Sequence, residues 1–299
     1  MFKVAAFYLF TPIDNPQGLK TQLQPLCEKL KGTILVAPEG INSTISGTEE
    51  DIDTLLAFLK SQFPAITWKI SCAETMPFYR MKVRIKKEIV TLRRPEAKPS
   101  EKTGVHVDAK EWNRLIQDPD VIILDVRNDY EVAVGTFKNA IDPKTKVFTE
   151  FVDYVEMHLA DKKDKPIAMM CTGGIRCEKA SAFMLANGFP NVYQLNGGIL
   201  QYLEDVEPSE SLWEGECFVF DGRTTVDPDL VQGHFELCHG CRHPLTIADK
   251  QSVDFEKGVS CPHCIHTTTN AQKHRFRDRQ KQIDLAKARG EQHIGACRL

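Results

Sequence analysis

The chain has no apolar run approaching the roughly 20 residues that a membrane-spanning helix needs. The longest candidate near the start, Val4–Phe10, lacks a basic segment before it and a small-residue cleavage site after it, which argues against a signal peptide. Charge of either sign is not in excess: 38 Lys and Arg stand against 41 Asp and Glu, a net of -3. Such a balance excludes a polycation, so any nucleic-acid contact has to be local. What is plentiful is cysteine, with 10 residues. Four of them form two Cys-x-x-Cys pairs and one sits in a glycine turn. That arrangement fits thiol chemistry in a reducing compartment better than a disulfide framework. The expectation is a cytoplasmic protein without a membrane segment. At 299 residues, two or three domains are expected, each large enough to bury a core.

The stretch that organises the chain is Cys171-Thr172-Gly173-Gly174-Ile175-Arg176-Cys177. Ile167–Met170 before it reads as a buried parallel strand. After it, Ala180, Phe183, Met184 and Asn187 fall on one helical face, and Gly188 is a stop residue. Cys171 therefore lies in a turn between a strand end and a helix N-terminus. Such a turn converges backbone N–H groups on one point, and the helix dipole adds positive potential. Arg176 adds a full charge. A free thiol titrates near 8.5, and lowering it by about two units takes roughly 2.7 kcal/mol of local field. Cys171 and Arg176 are the candidate catalytic pair, with Thr172, Gly173, Gly174, Ile175 and Cys177 as the active-site loop. Cys177 either resolves a persulfide or disulfide at Cys171 or packs inward from the helix start.

Three units surround this loop. Residues 1–92 read as strand (4–10), helix (17–30), strand (33–37), strand (41–46), helix (49–61) and strand (66–70), the order of a ferredoxin-like α+β sandwich. Residues 77–87 mix Phe78 and Tyr79 with Arg80, Lys82, Arg84, Lys86 and Lys87. They read equally as a solvated edge strand or as an RNA-backbone stripe. Residues 93–104 have no apolar period and two prolines, and read as an extended linker. Residues 105–207 alternate strands with helices, which implies a parallel doubly wound sheet with ligands at the C-terminal strand ends. Asp125 and Arg127 end a neighbouring strand, where a supporting ion pair or loop anchor is expected.

Residues 208–299 carry Cys238-x-x-Cys241 and Cys261-x-x-Cys264, 19 residues apart. Two such knuckles supply the four thiolates of a tetrahedral zinc site, so structural zinc is expected at Cys238, Cys241, Cys261 and Cys264. Five histidines crowd the region, and a set of three cysteines with one histidine stays open. From Lys273 to Arg289 there are seven Lys or Arg against two Asp, on a helix-capable run. Lys273, Arg275, Arg277 and Arg279, together with Lys82 and Arg84, are the candidate RNA-binding residues.

Asp125-Val126-Arg127, Glu131, Gly135, Ala140-Ile141, the Cys171 loop and Asn196-Gly197-Gly198-Ile199 resemble a rhodanese (sulfurtransferase) domain, whose loop cysteine carries a persulfide. Related dual-specificity phosphatases place the arginine six residues after the nucleophile; here it is five after, which resembles the sulfur-handling branch. With Glu39-Gly40-Ile41-Asn42 and Met81-Lys82-Val83-Arg84 added, the whole chain is similar to the bacterial oxygen-dependent tRNA uridine hydroxylases. That resemblance implies an acylphosphatase-like domain, a rhodanese domain and a Cys-rich extension. It also implies a monooxygenase-type oxidoreductase that converts the wobble uridine of tRNA to 5-hydroxyuridine, with molecular oxygen as co-substrate and Cys171 essential. No flavin, haem or non-haem iron motif is visible in the sequence, which leaves Cys171 as the natural redox group. The rival readings are a thiosulfate or persulfide sulfurtransferase, with a small sulfur donor, and a non-catalytic tRNA-binding adaptor.

Overall fold

A computed structural model describes residues 1–291; the end of the C-terminal extension, 292–299, lies outside the described residues. The N-terminal unit runs β1 (Phe2–Phe10), α1 (Pro16–Leu26), β2 (Lys31–Ala37), β3 (Gly40–Gly47), α2 (Glu49–Gln62), β4 (Thr67–Ala73) and β5 (Met81–Ile85). Its sheet has the order β4-β1-β3-β2-β5. The first four strands are the ferredoxin-like arrangement, antiparallel throughout, and β5 joins the edge parallel to β2. Helix α1 ends at Leu26, short of the expected residue 30, because Pro25 removes a backbone donor one turn early.

The two faces of this sheet differ sharply. Ala5, Phe7, Ile34, Val36, Ile41 and Ile45 pack with Leu23, Ile52, Leu55 and Leu59 of the helices. Burying each such aliphatic side chain contributes roughly 1.5–3 kcal/mol. Alternation sends Tyr8, Lys69, Ser71, Lys82 and Arg84 to the opposite face, since their neighbours Phe7, Met81 and Val83 belong to the helix side. No helix of the N-terminal unit covers that second face; it meets the rest of the chain instead.

The middle unit runs β6 (Val105–Val107), α3 (Ala109–Gln117), β7 (Ile122–Asp125), α4 (Asp129–Val132), β8 (Gly135–Phe137), α5 (Phe151–His158), β9 (Ile167–Met170), α6 (Ile175–Ala186), β10 (Val192–Leu195) and α7 (Gly198–Asp205). Its sheet is parallel, in the order β6-β10-β9-β7. Strand β9 is buried along its whole length, consistent with its unbroken apolar sequence. The segment 93–104 forms turns rather than an extended strand. Leu92 and Ala97 are buried in the same core as Val155, Met169 and Phe183. The Gly104 N–H donates to Ser181 Oγ at 2.9 Å.

The chain then returns along the middle unit. Strand β11 (Trp213–Gly215) pairs antiparallel with β8, and β12 (Cys217–Phe218) pairs with β13 (Thr225–Val226). Trp213, Cys217, Val219 and Val226 share a core with Phe137, Ile199 and Tyr202. Last come β14 (Glu236–Leu237), β15 (Pro244–Leu245), α8 (Ile247–Gln251) and the long α9 (Asn270–Ala288). A capping box between Thr269 and Gln272 starts α9. No helix among the described residues is long and apolar enough to cross a membrane.

Lys179 and the Glu39–Asn42 segment hold the N-terminal and middle units together. Lys179 of α6 is 2% exposed in its side chain and places its amine 2.7 Å from both Glu39 and Glu88. Glu39 also accepts from the Ile89 N–H at 2.7 Å, and Asn42 donates to the Ile89 carbonyl at 3.0 Å. Gly40 between them has φ +149°, and a Cβ there would stand 2.0 Å from the Leu9 carbonyl oxygen.

Candidate functional site

Cys171 leaves the C-terminal end of β9, and Gly174 caps α6 with φ +95°. That left-handed residue folds the loop back so that the Gly174 N–H points at Cys171 Sγ, 3.2 Å away. The N-terminus of α7 braces the loop from below: Ile199 N–H donates to the Cys171 carbonyl at 3.0 Å and Leu200 N–H to the Thr172 carbonyl at 3.1 Å. The approach is so close that a Cβ on Gly198 would stand 2.5 Å from the Cys171 carbonyl oxygen. This is the physical reason for the Gly197-Gly198 pair. Gly173, by contrast, faces open space.

Cys171 is 1% exposed. Burial alone pushes its thiol up. The Cys177 thiol donating to it, the Arg176 charge and the backbone N–H groups of Cys177 and Arg176 outweigh that, and bring it down to about 6. Cys171 is therefore a thiolate at neutral pH. Burial, together with the neighbouring Cys171 thiolate, pushes Cys177 well above the ordinary thiol range. Cys177 is thus packed inward and fully buried, with the Cys171 thiolate as a neighbour.

Arg176 does not stand free beside the sulfur. Its guanidinium makes a bidentate pair with Glu131, at 2.6 and 2.8 Å, and Glu131 is fully buried. Part of the field expected from Arg176 is therefore answered locally by Glu131. Asp125 and Arg127 form a fully buried pair, with Arg127 Nε 2.8 Å from Asp125 Oδ1 and its guanidinium 5.2 Å from the centre of the Trp213 ring. They lie behind the loop. Asp221-Gly222-Arg223 repeats the same Asp-x-Arg clamp, with Nε to Oδ1 at 3.0 Å, and Arg223 adds a bond to Ser71 of the N-terminal sheet at 3.2 Å.

Beside the loop lies a cleft of about 1090 Å³, walled by all three units. Phe78, Tyr79, Tyr130, Phe218, Phe220 and Phe235 line it, with Arg80, Lys82, Lys146, Arg223, Arg242 and Arg279. The cleft does not open onto Cys171 itself. It adjoins the loop through Thr172, whose Oγ1 donates to the Phe218 carbonyl at 3.4 Å, and through Phe220, whose ring lies 5.7 Å from the Arg176 guanidinium. Phe220 is 59% exposed, a large apolar ring presented to the cleft.

Of the candidate RNA residues, Lys82 and Arg279 line the cleft and Arg84 does not. Arg279 also donates to the carbonyls of His239 and Gly258, at 2.9 and 3.0 Å. Arg277 is held by Glu256 at 2.6 Å, and Lys273 by the Ile265 carbonyl at 2.8 Å. Much of the basic character of α9 thus secures the cysteine-rich unit; Arg275 is exposed on the same helix. Sequence reasoning passed over Tyr130, Phe218, Phe220, Lys146, Arg223 and Arg242. The period-two aromatics at Phe218 and Phe220 are the signal that could have found two of them.

Cys238, Cys241, Cys261 and Cys264 converge with their sulfurs within 4.8 Å of one another. Three of the pairs lie 3.7, 3.8 and 4.0 Å apart. A zinc–sulfur bond of about 2.3 Å puts tetrahedral sulfurs about 3.8 Å apart, so the four thiols fit the ion. Among the described residues no histidine joins this group, and His243 and His263 stack on each other at 3.7 Å.

Residues 2–89 match the UPF0176 acylphosphatase-like domain and residues 108–205 match the rhodanese-like domain. Among solved structures, a rhodanese-like domain protein from Staphylococcus aureus is 26% identical, covering 33% of this chain and 90% of that one, with a TM-score of 0.28. A single-domain sulfurtransferase from Saccharomyces cerevisiae is 19% identical, covering 36% of this chain and 98% of that one, with a TM-score of 0.29. A protein of Agrobacterium fabrum named tRNA uridine(34) hydroxylase is 52% identical over 298 residues, 98% of this chain and 95% of that protein. With the match running through the N-terminal sheet, the Cys171 loop and the four-cysteine cluster alike, this chain belongs to the tRNA uridine(34) hydroxylase family.

Proposed function

We propose that this protein hydroxylates the uridine at the wobble position of tRNA to 5-hydroxyuridine, using molecular oxygen, at the Cys171 loop. The observation that carries the reading is the juxtaposition of a buried thiolate loop with a cleft lined by aromatic rings and cations. An anticodon-loop uridine is already unpaired, so presenting it needs little unstacking energy. Aromatic rings in the cleft stack the neighbouring bases, each contributing about 1–3 kcal/mol. Lys82, Arg80 and Arg242 hold the phosphates. Arg275, Arg277, Arg279 and Lys273 add a second basic surface on α9. In this reading Glu131 holds Arg176, Arg176 and the loop N–H groups keep Cys171 ionised, and Asp125 and Arg127 support the loop from behind.

The four-cysteine cluster holds structural zinc, which would brace the cleft wall carrying Arg242 and Arg279 and takes no part in the chemistry. The protein acts in the cytoplasm, where tRNA and a reducing pool occur together.

A sulfurtransferase remains the second reading, because a thiolate at about 6 under a backbone N–H also suits capture of sulfane sulfur from a small anionic donor. The test is nucleoside mass spectrometry of tRNA from cells lacking the gene and regaining it as wild type or Cys171→Ser. Return of 5-hydroxyuridine only with the wild type supports the proposal. Unchanged nucleosides, with thiosulfate sulfur transfer by the purified protein, would replace it with the second reading.

A further inference from the structure

The open face of the N-terminal sheet touches the Cys171 loop with one side chain in particular, Tyr8. Its hydroxyl lies 2.8 Å from the point where a Cβ on Gly174 would stand, and Gly174 is the residue whose N–H meets Cys171 Sγ. Tyr8 donates to Glu178 Oε1 at 3.2 Å, across 170 residues of chain. Glu178, in the first turn of α6, is 12% exposed in its side chain and lies 2.9 Å from His106 Nε2. Gln194 Nε2 donates to the second Glu178 oxygen at 3.1 Å and to the Gly104 carbonyl at 3.1 Å. With both amide hydrogens of Gln194 engaged, His106 presents an N–H to Glu178. The Glu178 carboxyl is thus held by three partners, one of which is a phenol set against the loop. The other carboxylate near the loop, Glu131, has both oxygens bound by Arg176. Burial and the neighbouring Glu178 and Cys171 charges hold Tyr8 as a neutral phenol. A neutral phenol bonded to a carboxylate can take a proton on its oxygen while passing its own to the carboxylate.

We propose that Tyr8, with Glu178 behind it, is the general base of the Cys171 loop, removing the C5 proton of a uracil bound covalently to Cys171. The substrate in this inference rests on the hydroxylase reading. C6 of uracil is the β-carbon of an unsaturated carbonyl, so a thiolate adds there. The sulfur–C6 bond forms as the C5–C6 π pair moves to C5 and O4. Once C5 has taken an oxygen substituent from molecular oxygen, with a two-electron donor reducing the second oxygen atom to water, the C5–H bond breaks and its electron pair restores the C5–C6 double bond. The C6–sulfur pair leaves with Cys171 as thiolate. The proton passes to the Tyr8 oxygen, and the Tyr8 proton to Glu178. Tyr8 acts on the substrate, while Glu178 acts through Tyr8 as a positioning and proton-accepting residue. The N-terminal domain would then supply part of the active site rather than only a binding surface.

The elimination is separable from oxygen chemistry. Without oxygen the new substituent on C5 is a solvent proton, and the same step exchanges the C5 hydrogen. The experiment is anaerobic tritium release from tRNA carrying 5-tritiated uridine. Wild type should release tritium and Cys171→Ser should not. Tyr8→Phe and Glu178→Gln should each slow release by about 10²-fold with tRNA affinity changed by less than about twofold. Glu178→Gln keeps the side-chain shape, so it guards against a packing effect of Tyr8→Phe. Exchange at the wild-type rate in both variants, or no exchange by the wild type, overturns the base. Aerobic formation of 5-hydroxyuridine by the same wild-type preparation decides the hydroxylase reading separately. Product without exchange removes only this inference, and exchange without product removes only that reading.

Discussion

The Cys171 loop and the four-cysteine cluster use the same side chain in opposite ways. At the loop a single sulfur is ionised by its surroundings: a backbone N–H at 3.2 Å, a neighbouring thiol and a guanidinium. Every charge there is answered by protein, Arg176 by Glu131 above all. At the cluster four sulfurs lie within 4.8 Å of one another, three of the pairs at 3.7–4.0 Å, a spacing that fits a shared metal ion. This difference predicts which perturbations destroy structure and which destroy chemistry.

Removing the proposed zinc should have the largest effect. Structural zinc contributes on the order of 10–16 kcal/mol, as much as the roughly 5–15 kcal/mol that stabilises a whole domain. Chelation or Cys261→Ser should therefore unfold residues 236–288 and leave the parallel sheet folded, which hydrogen exchange resolved along the chain would reveal. One zinc per chain should appear in elemental analysis; a fully folded, metal-free protein would erase the contrast between the two sites.

Glu131→Gln should come next. It leaves Arg176 buried without its counter-charge, at a cost of about 3–5 kcal/mol, read as a lower midpoint in denaturant. A variant as stable as wild type would mean that Arg176 is not held as the fold shows.

Cys171→Ser should remove activity and change thermal stability little. Alkylation of Cys171 against pH should show a midpoint near 6. Cys177→Ala, which removes the donating thiol, should move it upward. The sign for stability follows from a folded-state value below that of a free thiol near 8.5. The ionised loop adds stability above that range and loses it as pH falls through about 6. A midpoint at or above about 8.5 would contradict an activated thiolate.

The smallest effect concerns the cleft. Each phosphate contact on single-stranded RNA adds about 0.7 to the slope of log affinity against log salt. Lys82→Ala should lower that slope by about this amount and Arg84→Ala by less, because only Lys82 lines the cleft. Equal effects would show that RNA follows the strand β5 rather than the cleft.

Much of this was legible without coordinates. The buried strand, the glycine turn and the helix start around Cys171 follow from local patterns, since apolar runs and a Gly-Gly pair dictate backbone shape over a few residues. The knuckle spacing marked the four thiols for the same reason. Cys177 was ambiguous because a residue six after the nucleophile, at a helix start, serves either the nucleophile or the core; here it is fully buried. The basic run of α9 promised RNA contacts, yet Arg277 meets Glu256 and Arg279 caps two carbonyls, partners that lie in a different segment of the chain.

The sequence by itself determined the order of the elements, the thiolate loop and the thiol cluster, because each is written in residues close along the chain. Tertiary structure alone decided what faces the loop. Glu131 reaches Arg176 across 45 residues, Tyr8 reaches Glu178 across 170, and Arg223 reaches Ser71 across 152. Such pairings depend on how separate units dock, and docking is set by the burial of whole faces, which no short stretch of sequence encodes.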